Sequence, residues 1–172
     1  MPIRFLSWNV NGVRAIQKKG FWESLKVLSP DVFSLQETKS DSEIMSMQAS
    51  IFENQGYQIW YHSATMKKGY SGVATGTNLG NLENSSISGG LFADLQIATN
   101  KPASTVEITS KEIQVGIGDP EFDIEGRAII TEHLYKNYKI ALLNGYHPQG
   151  GRGPHRIEYK ILFFYILILL LV

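Results

Sequence analysis

Residues 3–39 read IRFLSWNVNGVRAIQKKGFWESLKVLSPDVFSLQETK. Ile3 and Phe5 alternate with Arg4, and the run ends at Asn11-Gly12, a strand meeting a turn. Phe21, Trp22, Leu25 and Leu28 then recur at helical spacing until Pro30 stops the pattern. DVFSLQE is a short apolar run that ends on Gln36, Glu37, Thr38 and Lys39. Strand, helix, strand over this length is a βαβ unit, so the two strands are expected to be parallel. Both then finish, at Asn9 and Glu37, along one edge of the sheet. Open α/β sheets bind ligands at such carboxyl ends.

The rest of the chain extends the α/β pattern. A second helix is expected with Ile44, Met47, Ile51 and Phe52 on one face and Gly56 as its stop. YQIWYH (57–62) reads as a strand, and MKKGYSGVAT (66–75) as a turn leading into its partner. GRAIITEHLYKNYKIALLNGYHP (126–148) reads as a hairpin turning at Lys136-Asn137 and ended by Pro148. A last helix is expected from Pro154, with Ile157, Ile161 and Phe164 sharing a face. Residues 76–108 break the pattern. They are rich in Gly, Asn, Ser and Thr, and Lys101 stands against Glu83, Asp94 and Glu107. A loop of this length is uncommon inside a compact domain, so the segment reads as an insertion, with LFADLQIA as its one weak strand.

Composition narrows the function classes. The 172 residues suit one domain, 1–160 with that insertion. Sixteen basic side chains balance sixteen acidic ones, so any nucleic-acid surface must be a local patch. There is no cysteine, which excludes a disulfide scaffold and a cysteine-ligated zinc site and favours an intracellular compartment. MPIRFLSWNV lacks the apolar core of a secretory signal. The closing run 161–172 holds no charge, but twelve residues fall short of the roughly 20 that a bilayer span needs.

Three places can carry chemistry. Glu37, at the end of an apolar strand, suits a hard divalent cation that keeps several waters and takes only one or two carboxylates. Asn9, on the neighbouring strand end, can orient it or meet a phosphate oxygen. The alternative is a carboxylate capping a strand in solvent beside an Asx turn. The loop GYHPQGGRGPHR (145–156) gathers Tyr146, Arg152 and Arg156 with glycines that permit close backbone approach. Arginine forks suit phosphate oxygens, although an ordinary glycine-rich surface loop has the same composition. His147 and His155 lack a partner histidine at ligand spacing and are set aside as ligands. KKGYSGVA (67–74) sets two lysines beside Tyr70, either a backbone-and-stacking contact to nucleic acid or a plain hairpin turn.

SWNVNGVRA, LQETK, KKGYSGVAT, GDPEFDIEGRAII and LLNGYHPQGGRG with HRIEYK occur in one order along the chain. Together they resemble the exonuclease III / abasic-site endonuclease family of the endonuclease/exonuclease/phosphatase superfamily. The resemblance covers 3–75 and roughly 109–160. It implies an α/β fold, here the N-terminal half of a four-layer α/β sandwich. It also implies Mg²⁺ (or Mn²⁺) dependence and action on double-stranded DNA at abasic sites or 3′ ends. Carried over by position, Asn9, Glu37 and Tyr146 are the catalytic residues and Glu37 the metal ligand. Arg14, Lys19, Gly69, Tyr70, Arg152 and Arg156 are the nucleic-acid contacts, and Asp123, Glu125 and Arg127 are structural. Location would be cytoplasmic, and the chain a monomer without a membrane partner.

The resemblance also implies an Asp-x-Asn and a later Ser-Asp-His motif, and neither occurs. No Asp follows Asp123 and no His follows His155. Past Lys160 the likeness stops and only Ile, Leu, Phe, Tyr and Val remain. The expectation is an incomplete domain with a tail, 161–172, that is not family-derived. Such a chain would be catalytically impaired and aggregation-prone. Two other readings stay open: a DNA-binding remnant without catalysis, and a superfamily phosphoesterase acting on lipid headgroups.

Overall fold

The computed structural model describes residues 2–79, 108–151 and 153–170. The expected insertion, its weak strand, and Arg152 lie outside these residues, save for 76–79 and 108. In chain order the elements are β1 (Phe5–Asn9), α1 (Val13–Gln17), α2 (Phe21–Leu28), β2 (Val32–Gln36), α3 (Ser42–Asn54), β3 (Tyr57–His62) and β4 (Val73–Asn78). There follow β5 (Ile108–Val115), α4 (Pro120–Asp123), β6 (Ala128–Tyr135), β7 (Tyr138–Gly145) and α5 (Pro154–Leu169).

The strands form two sheets, one ordered β1-β2-β4-β3 and the other β5-β6-β7. β1 and β2 pair in parallel with Asn9 opposite Gln36, which is the expected βαβ unit. The remaining pairs are antiparallel. The sheets pack face to face, β2, β3 and β4 against β5, β6 and β7. Helices α1–α3 lie on the outer side of the first sheet and α5 on the outer side of the second. The layers therefore run helix, sheet, sheet, helix.

The period-2 rule splits β2 between two environments. Phe33 and Leu35 point to the helices and join a core with Val13, Phe21, Leu25, Met45, Phe52 and Ala74. Phe33, Phe52, Phe21 and Trp22 form a chain of ring contacts between 5.0 and 5.9 Å. Gly76, across from Phe33 in the register, leaves room for that ring, since a Cβ there would overlap it. Ser34 points the other way, toward the second sheet, where Thr75, Thr77, Thr131, His133 and Asn144 are also buried.

Two helix faces differ from expectation. On α3 the buried residues are Met45, Gln48 and Phe52, whereas Met47 and Ile51 are exposed. The apolar set is wide enough for two stripes, and Phe52 alone belongs to both. On α5 Phe163 and Leu167 are buried against Ile117, Phe122 and Ala128, and Ile157, Ile161 and Phe164 face outward. A three-stranded sheet offers one strip of surface. Phe164 is partly covered by the stacked His147 ring, 4.5 Å away, while Ile157 and Ile161 stay exposed. None of these helices is long and apolar enough to cross a membrane. β5 is not among the strands expected from sequence. Its sequence ITSKEIQV carries Lys111 and Glu112 mid-strand, and it is half exposed, with a register shift between Glu112 and Gln114.

Candidate active site

Glu37 follows β2 directly and Asn9 ends the adjacent β1, so parallel pairing sets them side by side. Tyr146 follows β7 in the other sheet. One buried amide ties these strand ends together. Asn144 Nδ2 donates to Ala74 O at 2.8 Å and Leu35 O at 3.2 Å, and its Oδ1 accepts from Gln36 Nε2 at 2.9 Å. Two residues further on, Tyr146 is clamped to Arg127: its N–H donates to Arg127 O at 2.8 Å, and its carbonyl accepts from Arg127 Nη1 at 3.0 Å.

The result is a three-residue cluster around one oxygen. Glu37 Oε1 accepts from Asn9 Nδ2 at 2.9 Å and from the Tyr146 hydroxyl at 2.7 Å. Glu37 Oε2 pairs with Lys39 Nζ at 3.0 Å. Lys39 also donates to Asn11 Oδ1. Glu37 and Lys39 both hold left-handed backbone, φ 56° and 50°. Surrounding hydrogen bonds maintain that strain: Gly12 N to Glu37 O, Thr38 N to Gly72 O and Lys39 N to Ser71 O.

Electrostatics follow from these contacts. Partial burial pushes the Glu37 carboxyl up, but the hydrogen bonds from Asn9, Tyr146 and Lys39 outweigh it and hold it below the usual carboxylate range. Burial, reinforced by the hydrogen bond to Glu37, pushes the Tyr146 phenol up to about 12. At neutral pH the pair is therefore a carboxylate and a neutral phenol donor.

A cleft of about 460 Å³ opens beside the cluster, lined in part by Glu37, Lys39, Tyr70, Arg127, Tyr146 and Arg156. Its floor is an ion network. Glu125 is 5% exposed at its side chain and pairs with Arg127 and, through both oxygens, with Arg156 at 2.8 and 3.3 Å. Arg127 Nη2 donates to the Tyr70 hydroxyl at 2.8 Å, and its guanidinium lies 5.0 Å from the centre of the Tyr146 ring. Arg156 thus spends its fork on Glu125 and also lies over Tyr159. Arg14 and Lys19 are exposed near α1, and Gly69 is exposed in the turn before Tyr70. Arg14 lines a neighbouring cleft together with Lys18 and Lys39.

Asn9, Glu37, Tyr146, Tyr70 and Arg156 are brought to one rim; Arg14, Lys19 and Gly69 lie outside the cluster. Sequence reading gives no role to Lys39, Asn11 or Asn144. Lys39 and Asn11 are legible in principle, since each stands two residues from a singled-out position. Asn144 stands two residues from Tyr146 and is legible by the same spacing, but nothing in the sequence shows that it is buried between two sheets. Among the described residues no group of three His, Cys, Asp or Glu can hold a metal. The donor set is one carboxylate with neighbouring amide oxygens, which fits an ion that keeps most of its waters.

The endonuclease/exonuclease/phosphatase family model matches residues 6–113, more than half of the chain. The chain belongs to this family. Among its relatives is the DNA-(apurinic or apyrimidinic site) endonuclease 2 of Xenopus laevis, 30% identical over 96% of this chain and 32% of that protein. The exodeoxyribonuclease of Bacillus subtilis is 30% identical over 92% of this chain and 48% of that protein. The structure of an AP endonuclease from Archaeoglobus fulgidus aligns with a TM-score of 0.64 at 20% identity, over 96% of this chain and 49% of that one. The Xenopus laevis APE2 catalytic domain aligns with a TM-score of 0.59 at 26% identity, over 96% and 52%. The chain thus spans about a third to a half of the length of the curated relatives it matches.

Proposed function

We propose that this chain carries the metal-binding, phosphate-facing half of a DNA phosphodiesterase of exonuclease III type, acting on duplexes with abasic sites or 3′ ends. The observation that carries the reading is the convergence of Asn9 and Tyr146 on Glu37 Oε1, two strands and two sheets meeting at one carboxylate oxygen. The named relatives act on abasic sites or are exodeoxyribonucleases. Glu37, with Asn9 or Asn11 beside it, would hold Mg²⁺ or Mn²⁺. Such an ion, when bound, polarises a phosphoryl oxygen. Asn9 keeps Glu37 Oε1 oriented. The Tyr146 phenol, protonated at neutral pH, supplies a hydrogen bond to a phosphate oxygen as charge develops on it. Arg14 and Lys19 offer exposed cations to the DNA backbone, and Tyr70 a hydroxyl and ring beside the cleft. The same reading makes the chain a cytoplasmic monomer with a tendency to aggregate through the exposed apolar face of α5.

No Asp-x-Asn motif, whose aspartate would activate the water in a family member, occurs within these 172 residues. General base catalysis is typically worth about 10²–10⁴-fold. Nicking of a duplex holding one abasic site should therefore be at least about 100-fold slower than that by the Bacillus subtilis exodeoxyribonuclease, and lost in Glu37→Gln. Turnover matching that enzyme overturns the impairment, and cleavage that survives Glu37→Gln overturns the site. Salt-sensitive duplex binding with no cleavage at all points instead to a DNA-binding remnant.

A further inference from the structure

The two oxygens of Glu37 have different occupants. Oε1 is taken by Asn9 and Tyr146, both neutral donors. Oε2 is the oxygen left for a cation, and it faces the Lys39 ammonium at 3.0 Å. The same ammonium donates to Asn11 Oδ1, and Asn11 N–H in turn donates to Asn9 Oδ1 at 3.2 Å. A carboxylate and an amide oxygen therefore converge on one positive centre, the hard-oxygen environment that a divalent ion requires. The placement is built rather than incidental. Both Glu37 and Lys39 are held in left-handed backbone by hydrogen bonds from two flanking segments, at Gly12 and at Ser71–Gly72. The ammonium also has somewhere to go. Lys39 lines the Tyr146 cleft and, on its other side, the cleft of Arg14 and Lys18.

We propose that Lys39 is a resident competitor for the metal ion: its ammonium holds Glu37 Oε2 and Asn11 Oδ1 until a divalent cation displaces it toward the Arg14 cleft. This rests on the metal-site reading given above. Lys39 keeps Glu37 neutralised and aligned without a metal, and it lowers the affinity for one. Once displaced, it adds a third cation to a cleft suited to a backbone phosphate. Metal entry and phosphate entry are thereby favourable to each other.

Mn²⁺ binding to the whole chain, read by loss of the free-ion EPR signal, tests this without any turnover. Lys39→Met should bind Mn²⁺ about fivefold more tightly than the wild type, the ratio matching an ion pair of this exposure. Lys39→Arg keeps the charge and should stay near the wild type. Near-UV circular dichroism confirms that each variant is folded. Unchanged or weaker binding in Lys39→Met overturns the proposal, as does equal tightening in Lys39→Arg. Glu37→Gln separates this from the underlying reading. If it binds Mn²⁺ as the wild type does, the metal site itself is wrong; if it loses Mn²⁺ while Lys39→Met gains nothing, only the role of Lys39 fails.

Discussion

The four-stranded sheet has two unlike faces. Toward α2 and α3 it presents Phe33, Leu35 and Ala74 to a layer of packed aromatic rings. Toward the second sheet it presents Ser34, Gln36, Thr75 and Thr77, met there by Thr131, His133 and Asn144. The first face gains from burying apolar area, which is non-directional. The second also buries Val32, Val73 and Ile129, but its polar side chains demand particular partners, because an unmatched buried polar group is costly. One face therefore holds the chain folded, while the other aligns one sheet on its neighbour and so sets Tyr146 over Glu37.

The largest effect should come from the apolar face. Phe33 is fully buried and touches Phe52 and Tyr57. Phe33→Ala should cost about 3–5 kcal/mol in urea unfolding. It opens a cavity beside Gly76, where the ring now sits, but leaves Asn144 and its hydrogen bonds in place. If the loss stays under about 1 kcal/mol, the apolar layer is not the main store of stability.

The polar face should show itself as acid sensitivity. His133 is wholly buried, with Ser110 Oγ 2.7 Å from Nδ1 and Thr131 Oγ1 2.8 Å from Nε2. Burial pulls its pKa from 6.5 down to about 4. The folded form thus favours neutral imidazole. Stability from this residue is fully present above pH 6.5 and is lost as the pH falls through about 4. The full loss is roughly 3 kcal/mol, at about 1.4 kcal/mol per pH unit. Denaturant midpoints between pH 7 and pH 4 measure it. In His133→Phe this component should vanish, leaving only the titration of the carboxylates. An unaltered acid profile in that variant breaks the claim that the polar layer is pH-sensitive.

This division also explains what is legible in the sequence. The apolar face is written in spacing: β1, α2, β2, the β3–β4 turn and the β6–β7 hairpin are all readable from periodicity and turn residues. Asn9, Glu37 and Tyr146 are readable as strand ends, because the βαβ unit and the hairpin fix where strands finish. The helix faces are not. Apolar residues are too many on α3 and α5 to name which stripe is buried, and only the width of the opposing sheet decides between Met45 and Met47, or Phe163 and Phe164. The polar layer leaves no periodic signal at all. Asn144, His133 and Thr75 look like solvent-facing strand residues until a second sheet covers them. β5 is the extreme case, with mid-strand charges that suggest no strand.

Asn144 offers the finest test, because its two contributions can be separated. Asn144→Ala removes a donor from the carbonyls of Leu35 and Ala74 and leaves the Gln36 amide with Ser7 as its remaining partner, so roughly 1–3 kcal/mol of stability should go, less than for Phe33→Ala. The positional effect is the sharper one. The Tyr146 phenol is raised to about 12 by burial and by its short hydrogen bond to Glu37. If Asn144 aligns the sheets, its loss lengthens that bond, and the phenol moves back toward the usual value near 10. Spectrophotometric tyrosine titration, with Tyr146→Phe subtracted to isolate this ring, reads the shift directly. A group raised in the folded state adds stability below pH 10 that fades as the pH passes about 12. Asn144→Ala should therefore also shrink the difference in alkaline stability that Tyr146→Phe makes. Should stability fall while the Tyr146 titration stays put, the alignment belongs to the Arg127 clamp alone, and the polar face stabilises the sandwich without steering the site.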